Sequence, residues 1–270
     1  TETSRTMKLR KTKLIATIGP ACDAPEILAE MIREGMDVAR LNFSHGTPAQ
    51  HRERLERVRA VALDLGANVA SMVDTRGVEI RTGSLRDGAA VLVAGQSFAL
   101  RTTPGPGDDQ SVFVSFEGLP AALSTGSRVL IDDGKIELKV VGIERGVVHC
   151  RVECGGTLRD RKSVNVPDAN LIRDALEPET NEDLIFAAEN AVDYVAVSFV
   201  QTARDVEQVR AFLESRGADI PIIAKIENQT GVEHPEEIVE AANGTMVARG
   251  DLGVELPMER VPRGQKQIIR

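Results

Sequence analysis

The 270 residues allow one large domain or two modest ones. With 42% hydrophobic but only 3% aromatic residues, the core must be built mainly from Val, Ile, Leu and Ala, which suits buried parallel strands and their covering helices. The net charge of −8 argues against general binding to nucleic acids or anionic membranes. A polar N-terminal segment, the absence of long apolar runs, and three cysteines without zinc-site spacing predict a cytoplasmic protein with free thiols.

Strand-like apolar runs and amphipathic helices alternate over the first 74 residues. The predicted strands cover 12–18, 37–43 and 68–74, and the predicted helices cover 25–35 and 48–66. In the second helix, Leu55, Val58, Ala62 and Leu65 form an apolar stripe, and the arginines are expected to face solvent. Each strand–helix unit takes about 30 residues, the length of a βαβ module.

The helical pattern stops from about Gly77 to Asn165, where short β-type runs are separated by turns rich in Gly, Pro and Asp. The stretch LIDDGKIEL is a hairpin signal. We therefore expect an inserted all-β domain over residues 77–165, between a first part (1–76) and a continuation (166–270) of the α/β domain.

The alternation resumes after the insertion. The predicted helices cover 181–191, 203–217 and 236–243, and the predicted strands cover 192–200, 221–227 and 245–250. About six βα units around one β insertion predict an α/β fold with a parallel sheet, either a barrel or an open doubly wound sheet. The lack of a GxGxxG motif after the first strand weakens the dinucleotide-binding version of the open sheet.

Charged residues gather where the predicted strands end, which is where the active groups of a barrel lie. Lys225 and Glu227 are two residues apart and therefore share one face of a strand, as a structural ion pair or as part of a site. Asp251 follows the next strand, and two carboxylates without His or Cys suit a hard cation such as Mg²⁺ or Mn²⁺. Gly250 and Gly253 would let backbone N–H groups approach an anionic ligand.

A second polar group follows the second and third strands. Arg40 has the shape for bidentate phosphate binding. Asn42, Ser44, Asp74 and Thr75 offer oxygen ligands for a small hard cation, although each could also be a turn or cap residue.

Three more cationic or titratable residues are candidates for contacting a ligand. His45 fits a surface position and a ligand pocket equally well. Arg81 and Lys162 stand at the two junctions of the β insertion, either as solvated charges or as a clamp on a second phosphate group.

The motifs LNFSHG, DTRGVEIRTG, LIDDG, VNVP, AKIENQTGV and MVARGDLGVELP closely resemble those of the pyruvate kinase family, in order from about Lys13 to Arg270. The resemblance implies a TIM-type (β/α)₈ barrel, here incomplete, with a β lid inserted after the third strand. It also implies phosphoryl transfer from phosphoenolpyruvate to ADP, and a homo-oligomer that is a tetramer in the complete family form.

The resemblance also implies residue roles. Lys225 would stabilise the transferring phosphoryl group and the enolate, and Arg40 would bind the phosphate. The N–H groups near Gly250 and Asp251 would bind the substrate carboxylate. Two cation sites are implied, Mg²⁺ or Mn²⁺ at Glu227 and Asp251, and K⁺ at Asn42, Ser44, Asp74 and Thr75 with Glu79 nearby. The nucleotide would meet His45, Arg81 and Lys162.

The sequence departs from the family pattern at three points. Val78 replaces the usual Pro, and Ser163 replaces the usual Gly. The family's last two barrel strands and its C-terminal regulatory domain have no counterpart here, so we expect a fragment or a reduced paralogue whose 270 residues alone do not turn over substrate. The alternatives to a pyruvate kinase are a metal-dependent pyruvate-enolate aldolase or lyase, and a truncated, non-catalytic ligand-binding remnant.

Overall fold

The computed structural model describes residues 11–77, 80–167 and 175–270. The strands are β1 (Leu14–Thr17), β2 (Met36–Asn42), β3 (Ala70–Asp74), β4 (Ala89–Leu92), β5 (Ser97–Arg101), β6 (Ser111–Phe113), β7 (Arg128–Ile131), β8 (Ile136–Glu144), β9 (Val147–Cys154), β10 (Gly156–Arg159), β11 (Val164–Asn165), β12 (Tyr194–Val197), β13 (Ile222–Ile226) and β14 (Gly244–Val247). The helices are α1 (Pro25–Arg33), α2 (Pro48–Asp64), α3 (Leu119–Ala122), α4 (Pro178–Glu189), α5 (Ala203–Ser215), α6 (Gln229–Glu233), α7 (Pro235–Ala241), α8 (Arg249–Glu255) and α9 (Val261–Ile269), with a 3₁₀ turn at Met258–Arg260.

The α/β part of the chain is built on one parallel sheet in the order β1-β2-β3-β12-β13-β14. All neighbouring strands in this sheet are parallel. Spatial order follows chain order throughout the described strands of this sheet, whereas a doubly wound sheet reverses its order at a switch point. The fold is therefore an incomplete α/β barrel, and the open-sheet alternative is wrong.

Helix α2 shows how local sequence fixes one βα unit. Thr47 and Gln50 form a reciprocal capping box at its start, with Pro at the first helical position. Leu55, Val58 and Ala62 are buried against the sheet, as the apolar stripe predicts. The expectation that the arginines face solvent is wrong for Arg54, which is buried with its Nε 3.2 Å from Asp23 Oδ2. The ion pair lets a cation occupy a position that periodicity alone assigns to solvent.

Residues 80–167 contribute strands that pair apart from the parallel sheet. A six-stranded sheet has the order β11-β7-β8-β9-β5-β6, and β4 pairs with β10. These strands surround an apolar cluster of their own that includes Phe98, Leu100 and Ile131. The hairpin predicted from LIDDGKIEL joins β7 and β8, with Asp132 and Asp133 in the left-handed region at φ 54° and 57°.

The C-terminal end of β14 differs from the sequence expectation. The predicted strand extends to Gly250, but β14 ends at Val247 and α8 begins at Arg249, which places Gly250 and Asp251 in the first turn of a helix. Helix α6 likewise follows β13 after Asn228, whose side chain accepts from the Gly231 N–H at 2.7 Å. Within the described ranges, no helix has the length and apolar character needed to cross a membrane.

Candidate active site at the carboxyl ends of the strands

Lys225 is the centre of a buried polar cluster. It lies in β13, and its ammonium Nζ is 2.9 Å from Glu227 Oε1, 2.7 Å from Asp74 Oδ1 and 2.7 Å from Ser198 Oγ. The contact with Glu227 confirms that the two side chains share one face of the strand. Burial lowers the pKa of Lys225, but the charges of Glu227 and Asp74 outweigh it and raise the pKa above its ordinary value. Lys225 is thus a fixed cation at neutral pH.

Arg40 adds a second cation to this cluster. Its guanidinium in β2 pairs with Asp74 Oδ2, and its Nη1 donates to Thr17 Oγ1 at 2.6 Å. Asp74, which is fully buried at the end of β3, therefore stands between Arg40 and Lys225 with one oxygen toward each. The Arg40 side chain retains 26% exposure, so the guanidinium can also reach a ligand from solvent. With Glu227, the buried cluster therefore holds two cations and two carboxylates at the strand ends.

Glu227 is held from two sides. Its Oε1 accepts from Lys225, and its Oε2 accepts from the backbone N–H of Phe199 at 2.9 Å. Burial raises the pKa of Glu227, and the nearby negative charge of Asp251 raises it further, while Lys225 and the Phe199 N–H oppose both effects. The influence of Asp251 shows that the two predicted divalent-metal ligands are close enough to repel one another, which is what a shared cation would relieve.

Asp251 and Gly250 lie on the solvent side of this cluster, both exposed in the first turn of α8. The space around Gly250 and Gly253 is open, because a Cβ added at either position would meet no atom within 4 Å. Among the described residues, no three His, Cys, Asp or Glu side chains are grouped to hold a metal ion. The two predicted divalent-cation ligands are both carboxylates, and Mg²⁺ commonly takes its other ligands from water and substrate phosphate.

The four predicted K⁺ ligands lie at the ends of β2 and β3 or directly after them. Asn42 Oδ1 accepts from the Ser44 N–H at 3.1 Å, which shapes the turn after β2. Thr75 is buried, and its Oγ1 accepts from the Ser198 N–H at 3.2 Å. The Asp74 carboxylate is engaged by Arg40 and Lys225. Glu79 and Val78 lie outside the described residues.

A cleft of about 750 Å³ opens between the strand ends and residues of the β-rich part. His45 and Arg81 both line it, together with Phe116 and Arg161. Arg81 Nη1 donates to the Arg161 carbonyl at 3.0 Å. The third predicted nucleotide residue, Lys162, is ion-paired to Asp132 Oδ1 at 2.9 Å, and its neighbour Arg161 is the one that lines the cleft.

Comparison with known proteins agrees with this geometry. The family model for the barrel domain of pyruvate kinase matches residues 9–270. The chain belongs to the pyruvate kinase family. It is 44% identical to a pyruvate kinase from Sporosarcina psychrophila over 264 residues, 43% identical to one from Thermococcus litoralis over 260, and 42% identical to one from Clostridium perfringens over 264.

These alignments include most of this chain but only part of each relative. They cover 97%, 96% and 97% of the chain, against 45%, 55% and 56% of the three pyruvate kinases. The chain therefore spans about half the length of the curated relatives it matches. Family membership is established for this stretch, whereas the activity of the whole protein is a proposal.

Ser198 and Phe199 are site residues that the sequence reasoning did not single out. Ser198 Oγ accepts from Lys225 Nζ and donates to the Thr75 carbonyl at 2.8 Å, so it ties the end of β12 to the end of β3. The available signal was position alone, because SFV closes a predicted strand as the other site motifs do. This strand end carries no charged residue of the kind that drew attention to the other strand ends.

Proposed function

We propose that the protein carrying this chain is a pyruvate kinase that transfers the phosphoryl group of phosphoenolpyruvate to ADP, giving pyruvate and ATP in glycolysis. The observation that carries the proposal is the buried ammonium of Lys225, held by Asp74 and Glu227 beside Arg40 at the strand ends of a chain of this family. Phosphoryl transfer depends mainly on positioning and charge neutralisation, and this cluster is built for both.

In this proposal, Lys225 and Arg40 interact with different charges of the substrate. Lys225 is fixed by its two carboxylate partners, so its charge needs no reorganisation as negative charge shifts between the phosphoryl group and the enolate oxygen. Arg40 keeps part of its guanidinium exposed and would bind the phosphate from the solvent side. The backbone N–H groups of Gly250 and Asp251 would bind the substrate carboxylate in the open space at the start of α8.

Glu227 and Asp251 would hold Mg²⁺ or Mn²⁺, which supplies charge neutralisation for the phosphoryl oxygens. The residues fit this ion because both are hard oxygen ligands and because the pKa of Glu227, raised mainly by burial, is raised further by the negative charge of Asp251. Asn42, Ser44, Asp74 and Thr75 would hold K⁺. All four offer oxygen atoms, which are the ligands that hard cations prefer.

The β-rich residues 77–165 would act as a lid domain inserted between barrel parts 1–76 and 166–270. His45 and Arg81 already line one cleft and would meet the nucleotide there. Lys162 would exchange its partner Asp132 for a nucleotide phosphate. Arg76, Arg81 and Arg161 outnumber Glu177 and Glu179 in this cleft, which favours a nucleotide substrate over the aldol-cleavage alternative, which needs none. We further propose a cytoplasmic homo-oligomer.

The test is pyruvate formation from phosphoenolpyruvate by the purified protein that carries this chain, with Mg²⁺ and K⁺ present. We expect turnover that requires ADP, and loss of most activity when K⁺ is replaced by Na⁺. Pyruvate release from a 4-hydroxy-2-oxoacid without ADP would identify an aldolase instead. No turnover of either substrate, with retained metal binding, would leave the binding-remnant alternative.

A further inference from the structure

The turn formed by Ser198 and Phe199 contacts both Lys225 and Glu227. Ser198 accepts from Lys225 Nζ at 2.7 Å, and the Phe199 N–H donates to Glu227 Oε2 at 2.9 Å. Phe199 adopts φ 55°, a left-handed conformation that a residue with a large side chain rarely takes. The residue with this unusual conformation is therefore the one whose N–H donates to Glu227. Such outliers persist only where the surroundings hold them in place.

The surroundings that hold this turn belong to the segment after β3. The Thr75 N–H donates to the Ala196 carbonyl at 2.9 Å, the Ser198 N–H donates to Thr75 Oγ1 at 3.2 Å, and Ser198 Oγ donates to the Thr75 carbonyl at 2.8 Å. These three hydrogen bonds join the end of β12 and Thr75 into one connected unit.

The Phe199 ring completes this unit by lying against Gly77. A Cβ at position 77 would be 2.1 Å from Cδ2 and 2.3 Å from Cε2 of the ring, far inside van der Waals contact. The φ of Gly77 is not in the left-handed region, so glycine is needed here for the space it leaves and not for its backbone freedom. Any other residue at position 77 would push the ring, and with it the turn, away from the segment.

We propose that Phe199 is a positioning residue that holds Glu227 through its backbone N–H, and that its ring, seated on Gly77, makes the position of that carboxylate depend on residues 75–77. The inference rests on the proposed function, because it takes Glu227 as a ligand of the divalent cation. It adds a mechanical link between the metal carboxylate and the segment that leads into the β-rich part of the chain. Movement of that segment would change metal affinity without any contact to the metal.

The experiment measures Mn²⁺ affinity by calorimetry in the protein that carries this chain, together with Tm. Gly77→Ala should weaken Mn²⁺ binding by about tenfold, the lower end of the effect of losing an outer-shell partner. The double variant Gly77→Ala/Phe199→Leu should regain part of this loss, because leucine lacks Cε2 and its flexible side chain can turn Cδ2 away from the added methyl group while the N–H is kept. Gly19→Ala is the matched control, since its added methyl group meets no atom within 4 Å.

A merely structural role would lower Tm and kcat alike, whereas a positioning role should raise the KM for Mn²⁺ and leave kcat at saturating Mn²⁺ within about threefold, since the lost interaction serves binding. Wild-type affinity in Gly77→Ala, or no Mn²⁺ binding by the parent protein, would overturn the inference. Mn²⁺ binding without turnover of phosphoenolpyruvate and ADP would instead defeat the proposed function alone.

A second variant, Phe199→Gly, tests the same inference if Gly77→Ala does not fold. Phe199→Gly removes the ring, keeps the N–H and accepts the left-handed conformation readily. We expect it to fold and to bind Mn²⁺ several-fold more weakly, because the unrestrained turn no longer presents its N–H to Glu227. Affinity equal to that of the parent protein would show that the ring does not position the carboxylate.

Discussion

His51 shows how burial sets the state of a single residue. It is 1% exposed in α2, stacks on Phe43 at 4.2 Å between ring centroids, and its Nε2 lies 2.8 Å from the His45 carbonyl oxygen. Because a carbonyl only accepts, Nε2 carries the proton, and Nδ1 is left without a partner in the described part of the chain. Burial lowers the pKa of His51, opposed by the His45 hydrogen bond and assisted by the charges of Arg54 and Arg76.

This lowered pKa predicts a loss of stability in mild acid. Below the ordinary value of 6.5, the unfolded chain binds a proton at His51 that the folded chain resists, so the free energy of unfolding falls as pH falls from 6.5 toward the folded pKa. Urea unfolding at pH 7.5 and 5.5 should show a smaller acid loss in His51→Gln than in the parent chain. The other three histidines are common to both proteins and cancel. An equal loss in both would show that His51 does not titrate abnormally.

The cysteines should differ sharply in reactivity. Cys150 is 1% exposed in β9, and burial raises its pKa to about 12, whereas Cys154 at the end of the same strand is exposed. Because the thiolate is the reactive form, a maleimide at pH 7.5 should label Cys154 first and Cys150 only after unfolding. Peptide mass spectrometry reads the order directly. Labelling of Cys150 as fast as Cys154 in the folded protein would contradict the packing described.

At the scale of elements, Arg76 fastens the segment after β3 to the start of α4. Its Nη2 lies 2.7 Å from Asp183 Oδ1 and 3.0 Å from Glu182 Oε2, and its backbone N–H donates to Asp183 Oδ2 at 2.7 Å. Thr180 Oγ1 donates back to the Arg76 carbonyl at 3.2 Å. Asp183 is fully buried, while Glu182 is 67% exposed, so one guanidinium pairs with two carboxylates in different environments.

The two carboxylates provide a matched comparison. Asp183→Ala should lower the free energy of unfolding by about 3 kcal/mol, since it leaves Arg76 without its buried partner. Glu182→Ala should cost less than about 1 kcal/mol, as exposed pairs do. Chemical denaturation of the two variants measures both values. Equal losses would mean that burial does not set the strength of this contact.

Sequence patterns predicted the elements better than their ends. The alternation of side chains placed Lys225 and Glu227 together, because a strand fixes which residues share a face. It did not find α8, since ARGDLG continues an apolar run without a clear cap, and the chain turns into a helix two residues after β14 ends. Nor did it find the burial of Arg54, because the partner Asp23 lies 31 residues away and nothing local marks the pair.

At the scale of the whole molecule, the described strands of the parallel sheet form a barrel that does not close. Among the described residues, β1 pairs only with β2, and β14 pairs only with β13. Leu14 and Ile15 of β1 are 47% and 49% exposed, which is high for apolar strand residues. Edge strands with free backbone groups and apolar side chains are sites of intermolecular pairing.

We therefore expect residues 1–270 in isolation to self-associate and not to turn over phosphoenolpyruvate and ADP. Substrate bound at the strand ends would lie beside the open side, where water weakens the electrostatics that phosphoryl transfer needs. Light scattering with a coupled activity assay tests both statements. Replacing Ile15 by Lys should reduce association, because a charge on an edge strand opposes pairing, and an exposed position tolerates it. An active, stable monomer would contradict the expectation.

The order of the strands was predictable, because each βα unit has its own periodic pattern. The side-chain contacts between units were not predictable. Asp74 and Lys225 are far apart in the sequence, and only the parallel register that sets β3 beside β12 and β12 beside β13 brings them within 2.7 Å. Motifs at strand ends indicate that such residues converge. They do not indicate which oxygen faces which nitrogen.

The central claim is that the fixed charge of Lys225 supplies the catalytic electrostatics, and Lys225→Met in the protein that carries this chain tests it most directly. We predict a fall in kcat of about 10²–10³, as for the loss of one preorganised electrostatic group, with phosphoenolpyruvate binding largely retained. Lys139→Met, on an exposed position of β8, is the control and should leave kcat unchanged. A fall of less than tenfold in Lys225→Met, in a folded variant, would contradict the account.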